Sequence, residues 1–277
     1  MFDKSVIILV VSREILEGAV VDRNAAFMAS RLADIGYRVR TIEVIDRVRG
    51  EMVAAMKWAV DQQPTFVIQT GGMGPHWDDD ARNALAEAVN LPLSENDEAV
   101  GFVENSYRRL HARDLLDDPT LNDSRRGMAM VPQGSVCFEN TVGTAPAVML
   151  RLQDTTVFLL PGVPAEMQRF FTVNVMPVVA AEGPDTVRGE RHVDYYGHNE
   201  APINSAINDI ARKHPEVSLR MRVQGGDLNT RRRIMLVSEH EDPVALNDLL
   251  DQAEQDLRER LGLELQTRPT DASTIGD

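Results

Sequence analysis

The sequence predicts an α/β protein, with a mostly parallel sheet in its first two-thirds and a smaller α+β domain after it. Three observations carry this expectation. Val6-Ile7-Ile8-Leu9-Val10-Val11 is an unbroken apolar run rich in β-branched residues, the pattern of a strand buried on both faces of a parallel sheet. Strand-like and helix-like stretches then alternate up to the glycine loop Gly71-Gly72-Met73-Gly74, the order that builds an α/β sheet. Far downstream, Val217, Leu219, Met221 and Val223 alternate with Ser218, Arg220 and Arg222, as in a strand with one wet face.

The elements follow in order. After the first strand, Val21, Ala25, Met28, Leu32 and Ile35 recur at helical spacing, and Gly36 suits the position just past a helix end. This predicts a helix from about Val21 to Ile35. Val39 to Ile45 reads as a second strand, Met52 to Val60 as a second helix, and Thr65 to Thr70 as a third strand. Ala81, Ala84, Leu85, Ala88 and Val89 mark a helix after the glycine loop. A strand pair is expected at Ala147–Leu152 and Thr155–Leu160, then a stiff Pro161-Gly162-Val163-Pro164 turn and a helix from about Ala165. The character changes near Gly183-Pro184. Beyond it come a helix with Ile203, Ile207 and Ile210, the alternating strand, a turn at Gly225-Gly226-Asp227, a strand from Arg233 to Val237, and a helix from Pro243 closed by Gly262. The expected domains are 1–182 and 185–265, with a polar, disordered tail at 266–277.

The 277 residues are 43% hydrophobic and 26% charged, in the globular range. No apolar run approaches the ~18 residues of a membrane span, and the apolar stretch near the start is too short for a signal peptide. A single cysteine, Cys137, excludes an internal disulfide and points to a reducing cytoplasm. It reads as a buried strand residue. The net charge of −14 is spread over both domains, so nucleic acid is not expected as a partner. The same field repels phosphorylated ligands unless a cation or local arginines intervene.

The sharpest site candidate is Thr70-Gly71-Gly72-Met73-Gly74-Pro75-His76-Trp77-Asp78-Asp79-Asp80. Glycines let backbone N–H groups approach an anion, and the next helix aims its N-terminus at the loop. The loop suits a phosphate, yet three aspartates crowd it. A divalent cation bridging carboxylate and phosphate resolves that conflict, as Mg²⁺ often does. Asp80 reads as a helix cap. On spacing alone, Asp78 and Asp79 serve equally as helix-start acids or as metal and ligand groups. Arg13 and Glu14, in the first βα loop, belong on the same sheet edge. There Arg13 could hold a phosphate oxygen and Glu14 a ribose hydroxyl, although a solvated charged turn explains them better. His76 is the one histidine near this site. The loop Asn140-Thr141-Val142-Gly143-Thr144-Ala145-Pro146 reads as a turn, and Glu166 as an acid in a first helical turn.

Together these loops resemble the molybdopterin-binding fold shared by MogA, MoaB and the competence/damage-inducible CinA proteins, and most closely the CinA branch. The matching segments are Glu14-Ile15-Leu16 with Gly18, Asp22 and Asn24; Thr70 to Pro75 with Asp78-Asp79; Asn140 with Gly143-Thr144-Ala145-Pro146; and Leu160 to Met167. Residues 185–265 resemble the small KH-like domain of CinA proteins. The resemblance implies a three-layer α/β/α first domain. It also implies a ligand site at Arg13, Glu14, Asn24, Gly71, Gly72, Gly74, His76, Asn140, Gly143, Thr144, Gly162 and Glu166. Departures from the family are Arg13 in place of an acid, His76 for threonine, Asp80-Ala81 for Leu-Thr, and Ala147 for glycine. The nicotinamide-nucleotide amidase domain of longer CinA proteins has no counterpart up to Asp277, and amidase activity is not carried over.

Two functions compete. In the first, a divalent cation (Mg²⁺, or Co²⁺ or Mn²⁺) on the catalytic acids Asp78 and Asp79 drives hydrolysis of ADP-ribose to AMP and ribose 5-phosphate, with loop amides stabilising phosphate oxygens. In the second, the chain binds a pterin as a molybdopterin-binding protein, without pyrophosphatase activity. The expected partner is a phosphorylated small molecule, a nucleotide-sugar or a pterin. A homodimer is also expected. A nucleic-acid module built on Arg220, Arg222, Arg231, Arg232 and Arg233 is disfavoured, because no Gly-x-x-Gly clamp joins two helices there.

Overall fold

The computed structural model describes residues 4–183, 186–196, 201–224 and 231–263. The chain divides into two compact units, 1–184 and 185–277. The turn expected at Gly225 to Asp227 and the tail from Gln266 lie outside the described residues.

The first unit is built on a six-stranded sheet. Its strands are β1 (Ser5–Val11), β2 (Arg38–Ile45), β3 (Phe66–Thr70), β6 (Val136–Phe138), β7 (Ala147–Arg151) and β8 (Thr156–Leu160), in the order β2-β1-β3-β8-β7-β6. The first four in that order run parallel. β7 and β6 close the edge antiparallel. β1 and β3 are buried along their whole length, which is why the apolar run shows no alternation. A separate pair, β4 (Leu93–Glu95) and β5 (Met130–Pro132), lies outside this sheet.

Helices cover both faces. One face packs Ile7, Leu9 and Val67 against α3 (Arg49–Asp61), α4 (Ala81–Ala88) and α5 (Asp97–His111). The other packs Ile8, Phe66 and Phe158 against α2 (Asn24–Asp34), α7 (Pro164–Phe170) and α8 (Met176–Ala181). This is the three-layer α/β/α arrangement. Two short helices, α1 (Arg13–Leu16) and α6 (Asp123–Gly127), sit in loops.

Local chemistry moved some boundaries. The helix expected from Val21 begins at Asn24, because the Asp22 carboxylate accepts from the amides of Asn24 (2.9 Å) and Ala25 (3.1 Å) and so fixes the start later. Val21 is left 83% exposed. Asp80 occupies the cap position of α4 but makes no capping bond with its side chain. Its carboxylate is held instead by Asn83 and by Arg49, 3.3 Å away.

The second unit has the order β9 (Val187–Tyr196), α9 (Ala201–Lys213), β10 (Ser218–Gln224), β11 (Arg231–His240), α10 (Pro243–Leu261). Its antiparallel sheet runs β10-β11-β9, and one sheet face joins both helices in a core that includes Val193, Ile210, Ile234, Leu250 and Leu257. Arg231 and Arg233 both engage Asp194, and they hold its carboxyl well below the usual carboxylate range. Among the described residues no helix is long and apolar enough to cross a membrane.

Candidate functional site

The chain leaves β1 for one face of the sheet and β2 for the other, so a crevice opens where the carboxyl ends of β1 and β3 diverge. Ligands of open α/β sheets bind at such switch points. A cavity of about 620 Å³ lies there, within the range of small-molecule sites. Its walls include Glu14, Asn24, Gly71, Gly72, Gly74, His76, Asp79, Thr144, Gly162 and Glu166. Four loops far apart in sequence therefore meet at one opening.

The glycine loop is held tightly at its base. Gly71 adopts φ +96°, and a Cβ there would overlap the Val11 carbonyl, so only glycine fits. Its amide donates to Leu160 O at 2.9 Å and is not free for a ligand, contrary to the expectation for a loop amide. The amides of Gly72, Met73 and Gly74 have no acceptor among the described residues. Three residues with unspent N–H groups thus stand in succession on the cavity wall. The His76 amide donates to Asp79 Oδ2 at 3.2 Å.

Behind the loop lies Arg82, which composition and spacing did not mark. It is buried and donates to Met73 O (2.6 Å) and Gly74 O (3.2 Å). Burial lowers its pKa to about 10, opposed by the charges of Asp79 and Asp80. The guanidinium stays protonated at neutral pH and acts as a strut for the loop.

Asn24 ties three elements together. Its Nδ2 donates to Gly162 O (2.8 Å) and Thr70 Oγ1 (3.4 Å). Its Oδ1 is buried without a partner. Across the cavity, Glu166 is held by Asn140, whose Nδ2 also donates to Ala145 O at 2.9 Å. Asn140 Oδ1 accepts from the amides of Val142 (3.0 Å) and Gly143 (2.6 Å). Asn140 and Gly143 therefore shape the site from outside the cavity wall. Burial pushes the Glu166 carboxyl up, against the lowering effect of Asn140.

Arg13 is turned away from the cavity. It forks onto Asp46 through Nε–Oδ1 (2.9 Å) and Nη2–Oδ2 (3.2 Å). The phosphate role expected of Arg13 therefore has no geometric support. Asp78 also lies outside the cavity wall. Two arginines do line the cavity: Arg23, at the start of α2, and Arg47, just past β2, again unmarked by the sequence pattern. The Arg47 guanidinium is 3.6 Å from Glu14 Oε1, 3.9 Å from Asp78 Oδ2 and 4.0 Å from Asp79 Oδ1. Glu14 is held by Ser12 Oγ at 2.8 Å, and its pKa is lowered by its own backbone amide and by Ser12.

A divalent cation on Asp78 and Asp79 meets this guanidinium at once. No three of His, Cys, Asp and Glu converge as metal ligands among the described residues. Asp78 and Asp79 are the two carboxylates at the loop, and Arg47 lies within 4.0 Å of both.

Residues 7–181 match the family described as "Probable molybdopterin binding domain". Protein PAE0875 of Pyrobaculum aerophilum is 36% identical over 223 residues, 80% of each chain. Protein PYRAB15930 of Pyrococcus abyssi is 36% identical over 170 residues, 61% of this chain and 68% of that one. The crystal structure of the protein CinA from Thermoplasma acidophilum aligns with a TM-score of 0.58 at 28% identity, over 65% of this chain and 100% of that one. The chain thus belongs to the molybdopterin-binding domain family, and the CinA-like character of its loops is matched by a CinA-like fold.

Proposed function

We propose that this chain binds a phosphorylated pterin of the molybdopterin class in the cavity between the ends of β1 and β3. The observation that carries the reading is the run of unspent amides at Gly72, Met73 and Gly74 on the wall of a 620 Å³ cavity, in a domain of the molybdopterin-binding family. Backbone N–H groups in succession suit phosphate oxygens. The orphaned acceptor Asn24 Oδ1 suits a ring N–H or amino group, because a buried acceptor without a donor costs about 1–3 kcal/mol.

Cleavage of ADP-ribose draws support from the adjacency of Asp78 and Asp79 to the loop. The test is a fluorescence titration with molybdopterin released from a molybdoenzyme, run beside an assay for AMP from ADP-ribose with Mg²⁺ or Co²⁺. Saturable pterin binding, weakened at least tenfold in Asn24→Leu, is the expected result. AMP release with no pterin binding would replace this reading with the hydrolytic one.

A further inference from the structure

We infer that Arg47 is the resident counter-cation of the acidic rim and the side chain that receives the ligand's phosphate, in the role the sequence assigns to a divalent metal. The inference takes its ligand class from the proposed function above. Four observations support it.

Arg47 is placed with care. The Asp46 carboxylate, fixed by Arg13, accepts from the Arg47 amide at 2.7 Å. The side chain is thereby directed from the end of β2 into the cavity wall.

Its charge is engaged but its donors are not. The three carboxylate contacts, at 3.6 to 4.0 Å, are within ion-pair reach and beyond the 2.7–3.2 Å of an N–H···O hydrogen bond. The guanidinium donates no hydrogen bond among the described residues, and its Nε is buried without a partner. Arg23, also on the cavity wall, makes no ion pair among the described residues, whereas Arg13 and Arg49 are engaged. Arg13 forks onto Asp46 and Arg49 donates to Glu87 at 3.1 Å. A planar guanidinium with unspent donors matches an oxyanion in bidentate fashion.

A second polar group at this wall is unpaired: Asn24, a residue of the cavity lining, is 8% exposed, and its buried Oδ1 has no donor among the described residues. Finally, the rim is negative, so an incoming phosphate needs a local positive charge. Arg47 supplies one without the dehydration a metal ion demands.

The test is isothermal titration calorimetry with inorganic pyrophosphate, in EDTA and again in Mg²⁺. The wild-type chain should bind equally well in both. Arg47→Gln should bind roughly tenfold or more weakly, as expected for loss of a charge-assisted hydrogen bond. Arg47→Lys keeps the charge beside three carboxylates and loses the fork, so its affinity should fall between the two. Circular dichroism melts verify that each variant is folded. Wild-type binding that needs Mg²⁺, or Arg47→Gln binding as wild type, overturns the inference. A parallel titration with neopterin, which carries no phosphate, separates the two readings. Pyrophosphate binding through Arg47 with no pterin binding sinks the proposed function and leaves Arg47 standing. Neopterin binding with no pyrophosphate binding sinks the Arg47 inference alone.

Discussion

Asn140 Nδ2 donates to Glu166 Oε2 at 2.6 Å, across 26 positions of sequence. The bond joins the loop before β7 to the first turn of α7. It lowers the pKa of a carboxyl at the cavity wall, against the larger raising effect of burial.

Glu166 makes stability depend on pH. Burial is the larger influence, so its folded pKa lies above the ordinary 4.5. A raised folded pKa gives a stability contribution that is fully present below the unfolded pKa and lost as pH rises through the folded one. Glu166→Gln removes that loss. In urea titrations the variant should match wild type near pH 4 and exceed it near pH 7. A difference that stays constant with pH contradicts the assignment.

Gly143 packs against the same contact. A Cβ at this position would overlap the Glu166 carboxyl group. Gly143→Ala should destabilise the chain by about 1–3 kcal/mol, as overpacking does. Adding Glu166→Ala should relieve much of that loss. A double-mutant cycle in urea measures the coupling, and strictly additive effects would show that the clash is not the cause.

Arg82 supports the glycine loop from behind. Arg82→Met leaves the carbonyls of Met73 and Gly74 without their donor, at about 1–3 kcal/mol for each buried unsatisfied group. Hydrogen exchange at the Ala81 amide, which donates to Gly72 O at 3.1 Å, should accelerate. Pyrophosphate affinity should fall as well, although Arg82 does not line the cavity. Unchanged exchange and affinity would show that the loop holds itself.

Cys137 should be chemically silent. It is 4% exposed, and burial pushes its thiol up to about 11, so thiolate is scarce at neutral pH. A thiol-specific chromogenic reagent at pH 8 should label it only after unfolding in urea. Stoichiometric labelling of the native chain within minutes would refute its burial.

Most of the sheet was legible because apolar runs and β-branched residues report burial directly. Val6–Val11 and Thr65–Thr70 became central strands for that reason. The helix α5 was missed, although Ala99, Val103, Tyr107 and Leu110 recur at helical spacing on its packed side. β9 escaped notice because it buries mainly Val193 among charged neighbours. The site loops were readable as glycine and acid clusters, but which side chain faces the cavity was not. Arg13 and Arg47 look alike as sequence, and only the position of Asp46 sends one away and leaves the other at the wall.

What the sequence determined by itself is the order of elements, the glycine loop and the family, since each follows from local patterns of apolar residues, glycines and acids along the chain. Tertiary structure alone decided the partners of the charges. Glu14, Arg47, Asp78 and Asp79 come from three separate loops, and electrostatic energy depends on distances in space that no spacing along the chain encodes.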